Sequence, residues 1–145
     1  MVKLFIFWYP KKPIFLFYRG NLTLLEETNN NVAVIGLLNP DGETEEIERE
    51  VVARLVENGA TILSGLAFGC DSIAHKQALN SNAHTVAILP SPLNNILPGK
   101  NKELANEIVR KSGLLVTEYL TDAKSKREMG GRYQERDRLQ ALFSN

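Results

Sequence analysis

Short apolar runs recur along this chain, separated by longer stretches whose apolar residues repeat at helical spacing. Val32-Ala33-Val34-Ile35-Gly36 is β-branched and does not alternate, the pattern of a strand covered on both faces in a parallel sheet. Ala60-Thr61-Ile62-Leu63, Thr85-Val86-Ala87-Ile88-Leu89 and Leu114-Leu115-Val116-Thr117 repeat that pattern. Between the first two runs, residues 43–58 place Ile47, Val51, Val52, Leu55 and Val56 on one helical stripe, which Asn58-Gly59 stops. Further helices are predicted over 71–81 and 101–111. Ile14-Phe15-Leu16-Phe17-Tyr18, bounded by Pro13 and Arg19-Gly20, reads as a buried or edge strand. Residues 21–27 read as one or two helical turns capped by Asn21, and 28–31 as a polar loop. Residues 1–13 read as an irregular arm. Residues 121–132, with Gly130-Gly131, read as a mobile loop before a helix over 133–143 anchored by Leu139, Leu142 and Phe143. Strands alternating with amphipathic helices over 14–145 predict one α/β domain with a mainly parallel, doubly wound sheet. Right-handed crossovers then bring the turns after Ile35, Leu63, Leu89 and Thr117 to one rim, with a ligand site where the strand order reverses.

Composition narrows the partners. The 145 residues carry 17 basic and 17 acidic side chains, a formal net charge of zero, so the totals point to neither nucleic acid nor membrane. Any anion site is therefore local. The lone cysteine, Cys70, excludes an internal disulfide and fits a reducing compartment. The apolar run at 4–9 is too short for a signal peptide core or a membrane span, so a soluble cytoplasmic protein is expected.

Candidate chemistry gathers at Ser64-Gly65-Leu66-Ala67-Phe68-Gly69-Cys70-Asp71, between a strand and a helix. Gly65 and Gly69 let the backbone take φ > 0 and bring N–H groups close to a guest, and the helix adds the positive end of its dipole. An anion or nucleotide phosphate fits such a turn. The same residues equally make a plain turn, with Asp71 as a helix cap. Near the end, Lys124, Lys126, Arg127, Arg132, Arg136 and Arg138 outnumber Asp122, Glu128, Glu135 and Asp137, as a solvated helix face or a phosphate-contacting tail would. Asp71 and His75 share a helix face, as an acid–base pair or a capping network, and no nucleophile is placed beside them. Cys70 is either a thiol of lowered pKa or a small buried side chain. His84 is expected at a strand start on the surface. Two histidines and one cysteine at these spacings make no metal site, and no phosphate-binding loop of the G-x-x-x-x-G-K type or G-x-G-x-x-G is present. No enzyme chemistry and no cofactor are predicted.

Ser64-Gly65-Leu66-Ala67-Phe68-Gly69-Cys70-Asp71-Ser72-Ile73-Ala74-His75 resembles the signature S-G-L-A-R-G-I-D-x-x-A-H of the DNA-processing protein A family (DprA, also called Smf). Collinear landmarks agree: Tyr18-Arg19-Gly20-Asn21-Leu22 resembles its Y-x-G-N-L, and Thr85-Val86-Ala87-Ile88-Leu89 its T-I-A-V-L strand. Leu97-Pro98, Asn101 and Leu104 resemble Y-P-x-x-N-x-x-L, the 114–119 segment L-x-S-E-Y/F, and Arg136-Asp137-Arg138-Leu139 R-N-R-I. The resemblance implies a Rossmann-like three-layer sandwich that binds single-stranded DNA and acts in DNA uptake and recombination, with RecA and a second copy of the chain as further partners. By the same resemblance, the DNA-binding candidates are Gly36, Ser64, Gly65, Phe68, Gly69, Asp71, Asn101, Arg136 and Arg138.

Departures from the pattern keep other readings open. Where the family's first turn reads G-S-R this chain has Gly36-Leu37-Leu38, and Phe68 stands where the family has Arg. The next helix opens with Asp41, Glu43, Glu45 and Glu46, which repel a phosphate. Each lost phosphate contact flattens the salt dependence of single-strand binding by roughly 0.7. Phe68 either stacks on a base or covers the core. Besides DNA binding, two alternatives stand: a Rossmann-like module for a nucleotide-derived ligand, and a scaffold for protein contacts through an apolar rim of Leu37, Leu38 and Phe68.

Overall fold

Alternation inside the apolar runs decides how the sheet is covered. Along β4 (Thr85–Leu89), Val86 and Ile88 pack with Leu63, Leu114, Val116, Leu24 and Leu139, whereas Ala87 and Leu89 pack with Leu66, Leu79, Leu104, Ala105, Ile108 and Leu115. Two cores on opposite faces of one sheet account for strands that are apolar at every position. The structure is a computed structural model and describes residues 15–145. The arm expected over 1–13, and Ile14, lie outside the described residues.

Among the described residues the sheet has five strands, β1 (Phe17–Gly20), β2 (Asn31–Ala33), β3 (Thr61–Ser64), β4 and β5 (Leu114–Thr117), in the order β1-β5-β4-β3-β2. Four are parallel, and β1 closes the β5 edge antiparallel, with Phe17 opposite Thr117 and Gly20 opposite Leu114. The mainly parallel α/β sandwich is therefore as expected, and β4 and β5 occupy their expected ranges. The expected reversal of strand order does not occur among the described strands. From β2 to β5 each crossover steps the same way, so α1 (Gly42–Glu57), α2 (Cys70–Asn80) and α3 (Lys102–Arg110) cover one face. The other layer is α4 (Lys126–Phe143), whose Leu139 sits in the opposite core.

Four local expectations are corrected. The first strand begins at Phe17 rather than residue 14, because pairing with β5 sets its extent and Phe15 is exposed. The second is Asn31–Ala33 rather than 32–36: Val34 N–H still donates to Leu63 O at 2.8 Å, and by Leu37 the chain bonds instead to Cys70 N–H at the start of α2. On α1 only Val52 is fully buried; Ile47 and Val51 face solvent, because the helix rests on α2 and β3 at the edge of its layer. Gly130-Gly131 lies within α4 rather than in a loop. Ser125 caps that helix by accepting from the Glu128 N–H at 3.1 Å, while Glu128 accepts from the Lys124 N–H at 2.8 Å. That reciprocal cap starts the helix early and offsets two glycines that each cost about 1 kcal/mol relative to alanine. The turns at 22–25 with their Asn21 cap, and the Asn58-Gly59 stop with Gly59 at φ +78°, are as expected.

Candidate functional site

Parallel strands that end together leave their following loops on one rim. There the segment 34–41 after β2 meets the glycine turn after β3: Cys70 N–H donates to Leu37 O at 2.9 Å. A Cβ on Gly36 would sit 2.6 Å from Cys70 Sγ, and one on Gly69 would strike the carbonyls of Leu37 and Leu38. Gly69 also has φ +69°, which only glycine adopts without strain. The glycines thus fasten two loops together. Gly65 does something else: it takes no positive φ, and a Cβ there would collide with the guanidinium of Arg136. The left-handed position next to it falls to Leu66, at φ +59° and fully buried.

Buried polar groups hold that unusual path. Asn101, 8% exposed, donates from Nδ2 to Leu66 O at 2.9 Å, Ala67 O at 3.2 Å and Ser72 Oγ at 2.9 Å. Asp71 Oδ2 accepts from the Ala67 N–H at 3.1 Å, reaching back over the start of α2. Its carboxylate therefore occupies the positive end of that helix, where an outside anion was expected. Arg136, 6% exposed, comes from α4 through the sheet's end, donating to Gly65 O and to Ile88 O at 3.4 Å and lying 3.7 Å from Asp71. Ser64 is fully buried and turns its hydroxyl to Val34 O at 2.7 Å. Arg138 is in a bidentate pair with Glu118 at 2.5 and 2.6 Å, which raises its pKa and fastens α4 to the end of β5.

Where these two loops meet, apolar side chains face solvent: Phe68 is 45% exposed, and Leu37 and Leu38 are 61% exposed each. Phe68 does not cover the core. The structure brings Gly36, Ser64, Gly65, Phe68, Gly69, Asp71, Asn101 and Arg136 together at one turn, with Arg138 two residues further along α4. Of these side chains, Phe68 is the exposed one. The sequence reading missed Ser72, Leu66 as the left-handed residue, and Glu118 as the partner of Arg138; Ser125-x-x-Glu128 was a readable capping signal.

Asp71, His75 and Cys70 are not arranged as an acid–base or nucleophilic cluster. His75 does not pair with Asp71; it is fully buried, with Nδ1 2.7 Å from Thr85 Oγ1. Because that hydroxyl donates to Ile62 O at 2.7 Å, His75 must donate from Nδ1, leaving Nε2 without a partner among the described residues. Burial first, and the charge of Arg136 second, push its pKa from 6.5 down to about 3. Burial and the neighbouring Glu48 push the Cys70 thiol from 9.0 up to about 11, so it is a packed side chain and not an activated one. His84 is exposed at a strand start, with Nδ1 3.3 Å from Lys111 O. Among the described residues there is no group of histidine, cysteine and acidic side chains placed to hold a metal ion, and no helix long and apolar enough to cross a membrane.

A family model described as DNA recombination-mediator protein A matches residues 5–145. The chain belongs to that family. Protein Smf of Synechocystis sp. is 34% identical over 137 residues, covering 93% of this chain and 33% of the relative. DNA processing protein DprA of Streptococcus pneumoniae is 36% identical over 107 residues, covering 74% and 36%. The chain spans about a third of the length of the curated relatives it matches. Among solved structures, DNA processing protein A from Helicobacter pylori, described for its single-stranded DNA binding mode, superposes with a TM-score of 0.80 at 32% identity, covering 93% of this chain and 59% of that one. The Streptococcus pneumoniae DprA structure gives a TM-score of 0.79 at 32% identity, covering 91% and 44%.

Proposed function

We propose that this chain is a single-stranded DNA-binding module acting in DNA processing and recombination, without catalysis. The observation that carries the reading is the likeness, over 93% of the chain, to a DprA structure described for binding single-stranded DNA. The rim at the carboxyl ends of the strands is the binding face. Within it, Gly36 and Gly69 allow the loops to close on one another, Gly65 leaves room for the Arg136 guanidinium, and Ser64, Asp71, Asn101 and Arg136 hold the turn from beneath. Arg138 fixes α4, and Phe68 is the side chain offered to a base. Stacking on one exposed aromatic is worth about 1–3 kcal/mol per base and tolerates any sequence. Loading of RecA, pairing of two copies and a cytoplasmic location belong to the same proposal and rest on family membership.

The alternatives carry different weight. A nucleotide phosphate at the start of α2 would meet the carboxylate of Asp71, so a small-ligand site there is disfavoured. A protein contact is favoured by one observation: Ile35, Leu37, Leu38, Ile47, Val51 and Phe68 are all at least 45% exposed, on the loops and helix beside β2.

The test is a fluorescence-anisotropy titration of labelled oligo-dT at several salt concentrations, with ATP and cyclic nucleotides as competitors. Micromolar or tighter binding that weakens with salt and ignores the competitors supports the reading. Absence of binding at low salt refutes it and leaves the apolar face as a protein contact.

A further inference from the structure

The cations expected at the DNA face are internal: Arg136 is buried and Arg138 is in its pair with Glu118. A chain of zero net charge must find its phosphate contacts among other residues. Five exposed cations stand on the same rim, on the segments that follow β4 and β5. Lys102 opens α3, with Lys100 just before it, and Lys126 and Arg127 open α4, with Lys124 just before its Ser125 cap. None of the five makes an ion pair among the described residues. Glu128, close enough for Lys124 to lower its pKa, is engaged by Arg132 at 2.6 Å and by the Lys124 N–H. Of the other acids on these segments, Asp122 accepts from Asn95 Nδ2 at 2.7 Å and Glu103 accepts from Asn106 Nδ2 at 3.2 Å.

Lys102, Lys126 and Arg127 occupy positions that are costly to their helices. A helix N-terminus carries partial positive charge, so cations in its first turn are repelled and acids are favoured. α1 follows that rule with Glu43 and Glu45 in its first turn and Asp41 as its cap. α3 sets Lys102 beside Glu103 in its first turn, and α4 sets Lys126 and Arg127 beside Glu128, with Lys100 and Lys124 just ahead of the two helices. The two basic segments are held to the rim: Asn101 joins the first to the glycine turn, while Arg132 to Thr121 O at 2.7 Å, and the Asn95–Asp122 bond, hold the second. α3 and α4 cover opposite faces of the sheet, so the segments stand on either side of the ends of β4 and β5.

We infer that the phosphates of single-stranded DNA are held by Lys100 and Lys102 on one side and by Lys124, Lys126 and Arg127 on the other, with the strand crossing the ends of β4 and β5 beside Phe68. This rests on the DNA-binding reading above. It gives the rim a polarity, acidic at α1 beside β2 and basic at α3 and α4, and it replaces the two cations that the loops at 38 and 68 lack.

The experiment compares the salt slope of oligo-dT binding for the full chain, Lys100→Ala/Lys102→Ala, Lys124→Ala/Lys126→Ala/Arg127→Ala, and a charge control, Arg54→Ala/Arg110→Ala, in the last turns of α1 and α3. At roughly 0.7 per phosphate contact, the slope should fall by about 1.4 in the double and about 2 in the triple variant, with at least about tenfold weaker binding for the triple at low salt. The control should leave the slope unchanged. Melting temperatures of the double and triple variants should be equal or higher, because repulsion at the helix starts is relieved. Wild-type binding with unchanged slopes in both rim variants, or an equal fall in the control, overturns the inference while the DNA-binding reading stands. Failure of the unaltered chain to bind overturns both.

Discussion

Arg136→Ala is the change that separates a structural arginine from a phosphate contact. With Arg136 6% and Asp71 5% exposed, neither charge is screened by water, and removing the arginine leaves the carboxylate buried without its counter-charge and the Gly65 carbonyl without its donor. Breaking a buried pair from one side costs about 3–5 kcal/mol, a large share of the roughly 5–15 kcal/mol that holds a domain together. For a chain of this length the melting temperature should fall by on the order of 10 °C. Adding Asp71→Asn to Arg136→Ala removes the stranded charge while keeping an oxygen for the Ala67 N–H, so the double variant should be more stable than the single. Far-UV circular dichroism melts and urea titrations of Arg136→Ala, Asp71→Asn and the double variant close the cycle. A melting temperature within about 2 °C of the unaltered protein, together with a lower salt slope of DNA binding, would place Arg136 on the phosphate and refute this account of the turn.

Three further outcomes are expected. His75 is neutral in the folded protein down to pH about 3 but takes a proton in the unfolded chain below 6.5, so the unfolded state binds the extra proton between those values. Stability should therefore be untouched by His75 above pH 6.5 and fall by up to about 1.4 kcal/mol per unit as the pH drops through that window. His75→Gln should flatten that slope, and equal slopes for the two proteins would contradict the buried neutral histidine. Phe68→Ala should weaken oligo-dT binding by about 5- to 150-fold if stacking contributes 1–3 kcal/mol, with an unchanged melt, while Phe68→Arg should steepen the salt slope by about 0.7. An unaltered affinity for Phe68→Ala would remove the ring from the interface. Cys70, buried and with its thiol pushed up to about 11, should react with a thiol reagent at pH 8 only after unfolding in guanidinium; prompt reaction of the folded protein would contradict its packing.

The parts of the fold legible in the sequence are those fixed by burial on both faces. β4 and β5 read correctly because every residue in them is buried, which leaves an uninterrupted apolar run. β1 and β2 did not, since an edge strand is set by its one neighbour and carries a weaker apolar signal. The start of α4 was hidden because Gly130-Gly131 reads as a break, whereas the Ser125–Glu128 cap decides where the helix begins. At the site, the turn at 64–71 was visible from its glycines, but the fate of the arginines was not. Arg136 reaches Gly65 across 71 positions of sequence, and nothing local distinguishes an arginine that will be buried from one that will stay in water. Phe68 presents the converse case, an aromatic beside an apolar strand that the folded turn sends outward.

The central claim, that the rim at the carboxyl ends of the strands binds single-stranded DNA, is met most directly by two-dimensional amide NMR of the full chain titrated with oligo-dT. The account predicts shifts concentrated at residues 36–38, 65–70, 99–102 and 124–127, with the turns at the opposite end of the sheet, 58–60, 82–84 and 111–113, unmoved. Shifts centred on those opposite turns, or none at a saturating DNA concentration in low salt, would contradict it.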